Sequence, residues 1–86
     1  MKRHNVPPIN PGEILRDEVI QERGLTIEEG AILLGISTDE LSKIYFGEIS
    51  ITEPIAIRIS QVFGGNSELW IRLQNSFLNR TNNREL

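Results

Sequence analysis

Residues 26–45, which read TIEEGAILLGISTDELSKIY, decide the fold of this chain. Thr26 is a good helix-capping residue, and Glu29 follows it at the spacing of a capping box. Gly35 can adopt the positive φ of the turn that commonly ends a helix. Ser37 repeats the capping pattern and begins a second helix. The segment therefore predicts two short helices joined by a tight turn.

The small and apolar residues around this turn indicate how the two helices pack. Ala31 lies four positions before Gly35, and a small side chain there lets two helices cross closely. Ile36, Leu41 and Ile44 are expected to be buried beneath the second helix. This spacing is typical of a helix-turn-helix, in which the second helix enters the DNA major groove. Other small helical proteins also join two helices through glycine, so the segment alone leaves DNA binding open.

Start and stop signals outside this segment predict three further helices. They are expected to run from Pro11 to about Glu22, from Glu53 to Gly64, and from Asn66 or Ser67 to about Asn79. Asn10 and Thr52 are the predicted caps of the first two of these. No stretch alternates long enough to form a strand. The sequence predicts a compact all-α domain of five helices over residues 10–79, with a flexible arm at 1–9 and a polar tail at 80–86.

Composition narrows the class of function. The chain of 86 residues has a net charge of -3, one histidine and no cysteine. The histidine lies in the predicted arm, so no nucleophile–base set is available, and we expect neither catalysis nor a cofactor or metal site. No apolar run approaches the roughly 20 residues of a membrane span, and no leader peptide is evident. We therefore expect a soluble, cytoplasmic protein without a membrane partner.

The second helix of the central segment supplies the candidate DNA contacts. Lys43 is its one basic side chain, and hydroxyls and a carboxylate can reach phosphates or base edges. The predicted DNA-binding residues are Ser37, Thr38, Asp39, Ser42, Lys43 and Tyr45. Tyr45 is also a candidate for core packing. Phe46, beside Gly47, would suit a protein interface or a groove if exposed, although burial is the commoner fate of phenylalanine.

Residues 10–79 resemble, in register and without gaps, the HigA/VapI family of antitoxin and plasmid-maintenance regulators. This family belongs to the Xre/Cro-like (lambda repressor-like) helix-turn-helix proteins. The matching stretches are Pro11-Gly12-Glu13-Ile14-Leu15, Leu34-Gly35-Ile36-Ser37, Ile51-Thr52, Ala56-x-Arg58-Ile59, Phe63-Gly64 and Leu69-Trp70-Ile71-Arg72-Leu73-Gln74. Each motif alone is weak, but the ordered set is fairly specific.

The resemblance implies a five-helix fold, a homodimer and a double-stranded DNA operator as a partner. It also implies a cognate toxin protein, a ribosome-dependent mRNA interferase of the HigB type, which the antitoxin neutralises. For the dimer, we expect an apolar interface on the fifth helix, built from Trp70, Leu73 and Phe77.

The distribution of charge supports a second hypothesis. Residues 26–50 hold a single basic side chain against five acidic ones, although this segment would meet DNA. Phosphate contacts supply much of DNA affinity, and carboxylates repel phosphates. The chain could therefore be a protein-interaction module on a helix-turn-helix scaffold, with its acidic middle binding a basic toxin and with little DNA affinity. The exposed charge of the second helix is what separates the two hypotheses.

Overall fold

The computed structural model describes the backbone of residues 9–83, and the side chains as far as residue 79. Five α-helices follow one another, and residues 9–83 contain no strand. The helices are α1 Pro11–Ile14, α2 Ile27–Leu34, α3 Thr38–Tyr45, α4 Glu53–Phe63 and α5 Ser67–Asn83. The prediction of an all-α domain with five helices is confirmed. Within the described range, every helix is too short or too polar to cross a bilayer.

The first helix differs from its prediction. It passes directly into a π-helical segment, Leu15–Ile20, and then into a 3-10 turn, Gln21–Arg23. The predicted span from Pro11 to about Glu22 is helical, but only its first four residues form an α-helix. In an α-helix, residues five positions apart would point about 140° away from each other. The wider π turn instead brings positions i and i+5 into line, and both Leu15 and Ile20 are fully buried.

Capping side chains start the first three α-helices as predicted. The side-chain oxygens of Asn10, Thr26 and Ser37 accept hydrogen bonds from the backbone N–H groups of Gly12, Glu29 and Glu40, respectively. At Thr26 the second half of the capping box also forms, because the carboxylate of Glu29 accepts from the Thr26 N–H at 2.8 Å. Thr52 occupies the cap position of α4, but its side chain caps no N–H group there.

One hydrophobic core holds the helices together. Its buried members are Leu15, Ile20, Ala31, Leu34, Leu41, Ile44, Tyr45, Ile51, Ile55, Ala56, Ile59 and Trp70. Ile36, also predicted to be buried, is half-buried against this cluster. Gln74 is 6% exposed, and its Oε1 atom accepts a hydrogen bond from the Ile51 backbone N–H at 2.7 Å. This bond links α5 to the connection between α3 and α4, and it satisfies a buried donor.

The start of α1 lies against the end of α3. Gly12 is buried, and a Cβ atom added to it would overlap the backbone carbonyl of Ile44. Beside this contact, Asn10 Nδ2 donates to the carbonyl oxygen of Tyr45 at 3.0 Å. The absence of a side chain at Gly12 is therefore what allows α1 to approach the end of α3 this closely.

The ends of the chain differ from the expected boundaries. The backbone remains helical to Asn83, so the helix end predicted near Asn79 is four residues too early. Residues 80–83 contain no glycine or proline to stop the helix. Residues 1–8 of the predicted arm and residues 84–86 of the predicted tail lie outside the described range.

Candidate nucleic-acid interface

The turn between α2 and α3 is held by two backbone hydrogen bonds. Gly35 has φ 75° and donates its N–H to the carbonyl of Ile32, while the Ile36 N–H bonds to that of Ala31. These bonds satisfy carbonyl groups that the end of a helix leaves without partners. Ser37 then caps α3 within two residues of the turn. The helix-turn-helix geometry predicted from the sequence is present.

The side chains of α3 separate into a buried and an exposed face. Leu41, Ile44 and Tyr45 face the core. The predicted DNA contacts Thr38, Asp39 and Lys43 are exposed, Ser42 is half-buried, and Ser37 is exposed at the cap. We call the set formed by the exposed Thr38, Asp39 and Lys43 and the half-buried Ser42 the reading face. The structure thus brings four of the six predicted DNA-binding residues together on one side of one helix.

Asp39 and Lys43 form an ion pair across one turn of the reading face. Lys43 Nζ lies 3.3 Å from Asp39 Oδ2, with side chains 48% and 79% exposed. Exposed pairs at this spacing stabilise a helix only weakly, so DNA phosphate can compete for the lysine. In the unbound protein the one basic group of α3 is therefore partly neutralised by a neighbouring carboxylate.

Tyr45 points away from the reading face. The residue is 6% exposed, and its hydroxyl is buried without a hydrogen-bond partner in the described part of the chain. Burial raises the pKa of this phenol above its ordinary value, so the ring stays neutral at neutral pH. This placement matches the core role considered for Tyr45. A contact between the hydroxyl and DNA would require the side chain to leave the core.

An aromatic side chain extends from the end of α3. Phe46, the C-cap residue, is 68% exposed, and Ile49 is also exposed just beyond it. The commoner expectation that Phe46 is buried is wrong for this chain. The core-facing side of α3 is already filled by Leu41, Ile44 and Tyr45. Phe46 follows Tyr45 at the end of the helix and does not point to that side.

Arg58 has a structural role between two helices. Its Nε atom donates to the carbonyl oxygen of Leu33 at 3.2 Å. Leu33 lies in the last turn of α2, where carbonyl groups lack helical partners and a positive charge complements the helix dipole. The side chain therefore fastens α4 to the end of α2.

The three residues predicted for a dimer interface occupy different environments. Trp70 is 8% exposed and belongs to the core of the protomer. Leu73 and Phe77 are half-buried, and Leu69 is 50% exposed on the same helix. Because Trp70 has so little surface left, an interface on α5 would depend chiefly on the other apolar side chains.

Known proteins resemble this chain in both sequence and fold. The virulence-associated protein I of Dichelobacter nodosus is 32% identical over 75 residues, which is 87% of this chain and 69% of that protein. The structure of PA4674 from Pseudomonas aeruginosa, in complex with its operator DNA, matches with a TM-score of 0.86 and 29% identity. That match covers 95% of this chain and 88% of PA4674.

A second solved structure contains a protein that is named as an antitoxin. The Pseudomonas aeruginosa antitoxin HigA, determined with the higBA promoter, matches with a TM-score of 0.81 and 32% identity. The match covers 87% of this chain and 82% of HigA. No family model matches the chain. The agreement in sequence over most of both proteins, together with the shared helix-turn-helix geometry, establishes that the chain belongs to the HigA/VapI family of helix-turn-helix proteins.

Proposed function

We propose that this protein is a sequence-specific DNA-binding transcriptional regulator and the antitoxin of a toxin–antitoxin module. It binds a double-stranded operator as a homodimer and neutralises a cognate toxin, an mRNA interferase of the HigB type. Its family membership supports this proposal, as do the operator and promoter complexes of PA4674 and HigA. We further propose that it acts by binding, without catalysis of its own, and that it does so in the cytoplasm.

The observation that carries the proposal is the reading face of α3. It lies opposite the buried side of a capped helix, in a fold that closely matches two proteins solved with DNA. A helix in this position can enter the major groove, where the hydroxyls of Thr38 and Ser42 can meet base edges or phosphates. Lys43 can bond to phosphate or guanine, and Asp39 can accept a hydrogen bond from cytosine N4.

The proposal is tested by a mobility-shift titration with the DNA immediately upstream of the gene. The full chain should give a retarded species whose affinity falls as salt rises, because protein–phosphate contacts release counterions. Replacing Lys43 by alanine should weaken binding and reduce the log–log salt slope by about one unit if Lys43 contacts one phosphate. Absence of a retarded species at low salt would refute DNA binding, and an unchanged slope would exclude Lys43 as a phosphate contact.

The protein-interaction module remains the second candidate, and two observations favour it. The only lysine of α3 is paired with Asp39, and the exposed Phe46 and Ile49 stand near Glu48 at the end of the helix. A surface of this kind suits a protein partner better than a polyanion. The two candidates are distinguished by measuring DNA and toxin binding on the same preparation: toxin binding with no DNA binding at low salt supports the second.

A further inference from the structure

The solvent-facing side of α2 carries apolar side chains where a surface helix is normally polar. Ile32 is 76% exposed, more than any other large apolar side chain in the described part of the chain, and Leu33 is 39% exposed. With Leu25 and Glu29 they line a hollow of about 290 Å³. Glu28 lies one turn before Ile32 and is also exposed. We call these five residues the α2 patch.

Within the described residues, no lysine or arginine forms an ion pair with the carboxylates at the margin of the patch. The ion pairs within residues 9–79 join Arg16 to Asp17, Lys43 to Asp39, and Arg72 to Glu68. None includes Glu28 or Glu29, and Glu29 bonds only to the capping backbone of its own helix. Arg58 borders the patch from α4, where it bonds to the Leu33 carbonyl. The negative charge is therefore concentrated toward the N-terminal end of α2.

Charge and shape select among the possible occupants of the patch. DNA is disfavoured because its phosphates would meet carboxylates. A second copy in a two-fold contact offers the same five residues, none of which is basic, so Glu28 and Glu29 would gain no positive partner within the patch. A small ligand is disfavoured because the hollow is shallow and open to solvent, whereas ligand pockets bury most of the surface of their ligand. A partner with apolar groups flanked by basic ones complements both the apolar surface and the negative charge of the patch.

We propose that the α2 patch is a docking site for a basic, amphipathic segment of a partner protein. Apolar side chains of the segment cover Ile32 and Leu33 and fill the hollow beside Leu25, while its lysines or arginines pair with Glu28 and Glu29. In identifying that partner as the toxin, the inference rests on the proposed antitoxin function. The patch shares no residue with the reading face, so a variant can separate docking from DNA binding.

The experiment uses the full chain and a synthetic 18-residue helical peptide of leucine and lysine with an apolar stripe. A second peptide with glutamate in place of lysine is the charge control. Fluorescence anisotropy should show that the lysine peptide binds and that the glutamate peptide binds at least about tenfold more weakly. Amide NMR shifts should change at residues 25–33.

Two variants localise the binding. Ile32→Gln should weaken lysine-peptide binding by about tenfold or more, since a largely exposed isoleucine becomes buried in the complex. Glu28→Lys should weaken it as well, and this loss should disappear at high salt. Ile9→Gln is the matched control, because Ile9 is 57% exposed outside the patch and undergoes the same substitution as Ile32, and it should leave peptide affinity unchanged.

Three outcomes would overturn the inference: equal binding of both peptides, an equal loss of binding with Ile9→Gln and Ile32→Gln, or a lower sedimentation mass for Ile32→Gln, which would make the patch a self-association surface. A mobility shift on upstream DNA, measured alongside peptide binding, tests the proposed DNA-binding function independently of docking. Retarded DNA without peptide binding refutes docking alone. Peptide binding without retarded DNA supports docking and refutes the DNA-binding part of the proposal.

Discussion

Gly12 shows how a single residue sets the distance between two helices. Its absent side chain leaves room for the Ile44 carbonyl, while Asn10 bonds to the Gly12 N–H and to the Tyr45 carbonyl. The contact joins positions more than 30 residues apart. The Pro-Gly-Glu stretch noted in the sequence therefore has a physical basis in close backbone packing.

Replacing Gly12 by alanine should lower the free energy of unfolding by about 2 to 3 kcal/mol, because the new methyl group overlaps backbone that cannot rotate aside. Urea unfolding followed by circular dichroism measures the loss. Gly30→Ala is the matched control: its Cβ would lie 2.9 Å from Cδ1, the terminal side-chain atom of Ile20, which can shift where backbone cannot, and the gain in helix propensity of about 1 kcal/mol offsets that contact. Equal stability of Gly12→Ala and the wild type would contradict the close packing.

Asp39 is the residue whose charge opposes the proposed DNA function most directly. Changing it to asparagine removes a carboxylate from the reading face and releases Lys43 from its ion pair. We expect binding to the upstream DNA to tighten by about threefold or more at low salt, with a steeper salt dependence.

A matched pair on α5 provides the control for this substitution. Glu68 lies 3.8 Å from Arg72 at the same spacing as the Asp39–Lys43 pair but outside the reading face. Glu68→Gln should therefore leave the mobility shift nearly unchanged. If Asp39→Asn weakens binding instead, Asp39 reads a base, for which cytosine N4 is the fitting donor.

At the scale of the element, Thr26 and Thr52 are both predicted caps, but only the Thr26 side chain caps its helix in the structure. Both occupy cap positions ahead of an acidic first turn. Thr26 forms a full capping box with Glu29, whereas the Thr52 side chain caps no N–H group of α4. Local sequence could indicate where both helices begin. It could not indicate whether each hydroxyl adopts the rotamer that makes the bond.

Thr26→Ala should therefore destabilise the protein by about 1 kcal/mol, the usual cost of losing an N-cap side chain. Thr52→Ala should lower the free energy of unfolding by only about 0.3 kcal/mol, because no cap hydrogen bond is lost. Thermal or urea unfolding of the two variants side by side checks the difference. Equal losses would show that the Thr52 hydroxyl does cap α4 in solution.

At the scale of the whole molecule, self-association is the feature that completes the proposed function. A homodimer doubles the phosphate contacts that a single reading face offers, and its symmetry sets the spacing of two operator half-sites. Leu73 is half-buried and Leu69 is half-exposed on α5, so apolar surface remains on that helix for the proposed interface. Trp70 contributes mainly to the core of its own protomer.

We expect light scattering at micromolar concentration to give twice the mass of the 86-residue chain. Leu73→Glu should shift the mass toward that of the monomer, because a charge in an apolar interface is costly. Ile57→Glu, at a position 41% exposed on α4, is the control and should leave the mass unchanged. A monomeric wild type would refute the dimer, and circular dichroism of Leu73→Glu distinguishes dissociation from unfolding.

What the sequence determined by itself was local. Helix starts at Asn10, Thr26 and Ser37 and the turn at Gly35 follow from residues within four positions of each other, so capping preferences and apolar spacing were sufficient to predict them. The same reasoning identified the exposed side of α3, because a helix with a known buried stripe has a known opposite side.

Only the tertiary structure decided the features that join distant positions. Three of them depend on how the helices pack: the π turn that buries Leu15 with Ile20, the fit of Gly12 against Ile44, and the hydrogen bond that the Ile51 N–H donates to Gln74. The exposure of Ile32 on α2 also depends on helix packing, because local sequence does not specify which helices pack against that position. Local preferences select each helix, but the space left between helices selects which side chains are buried, bonded or left for a partner.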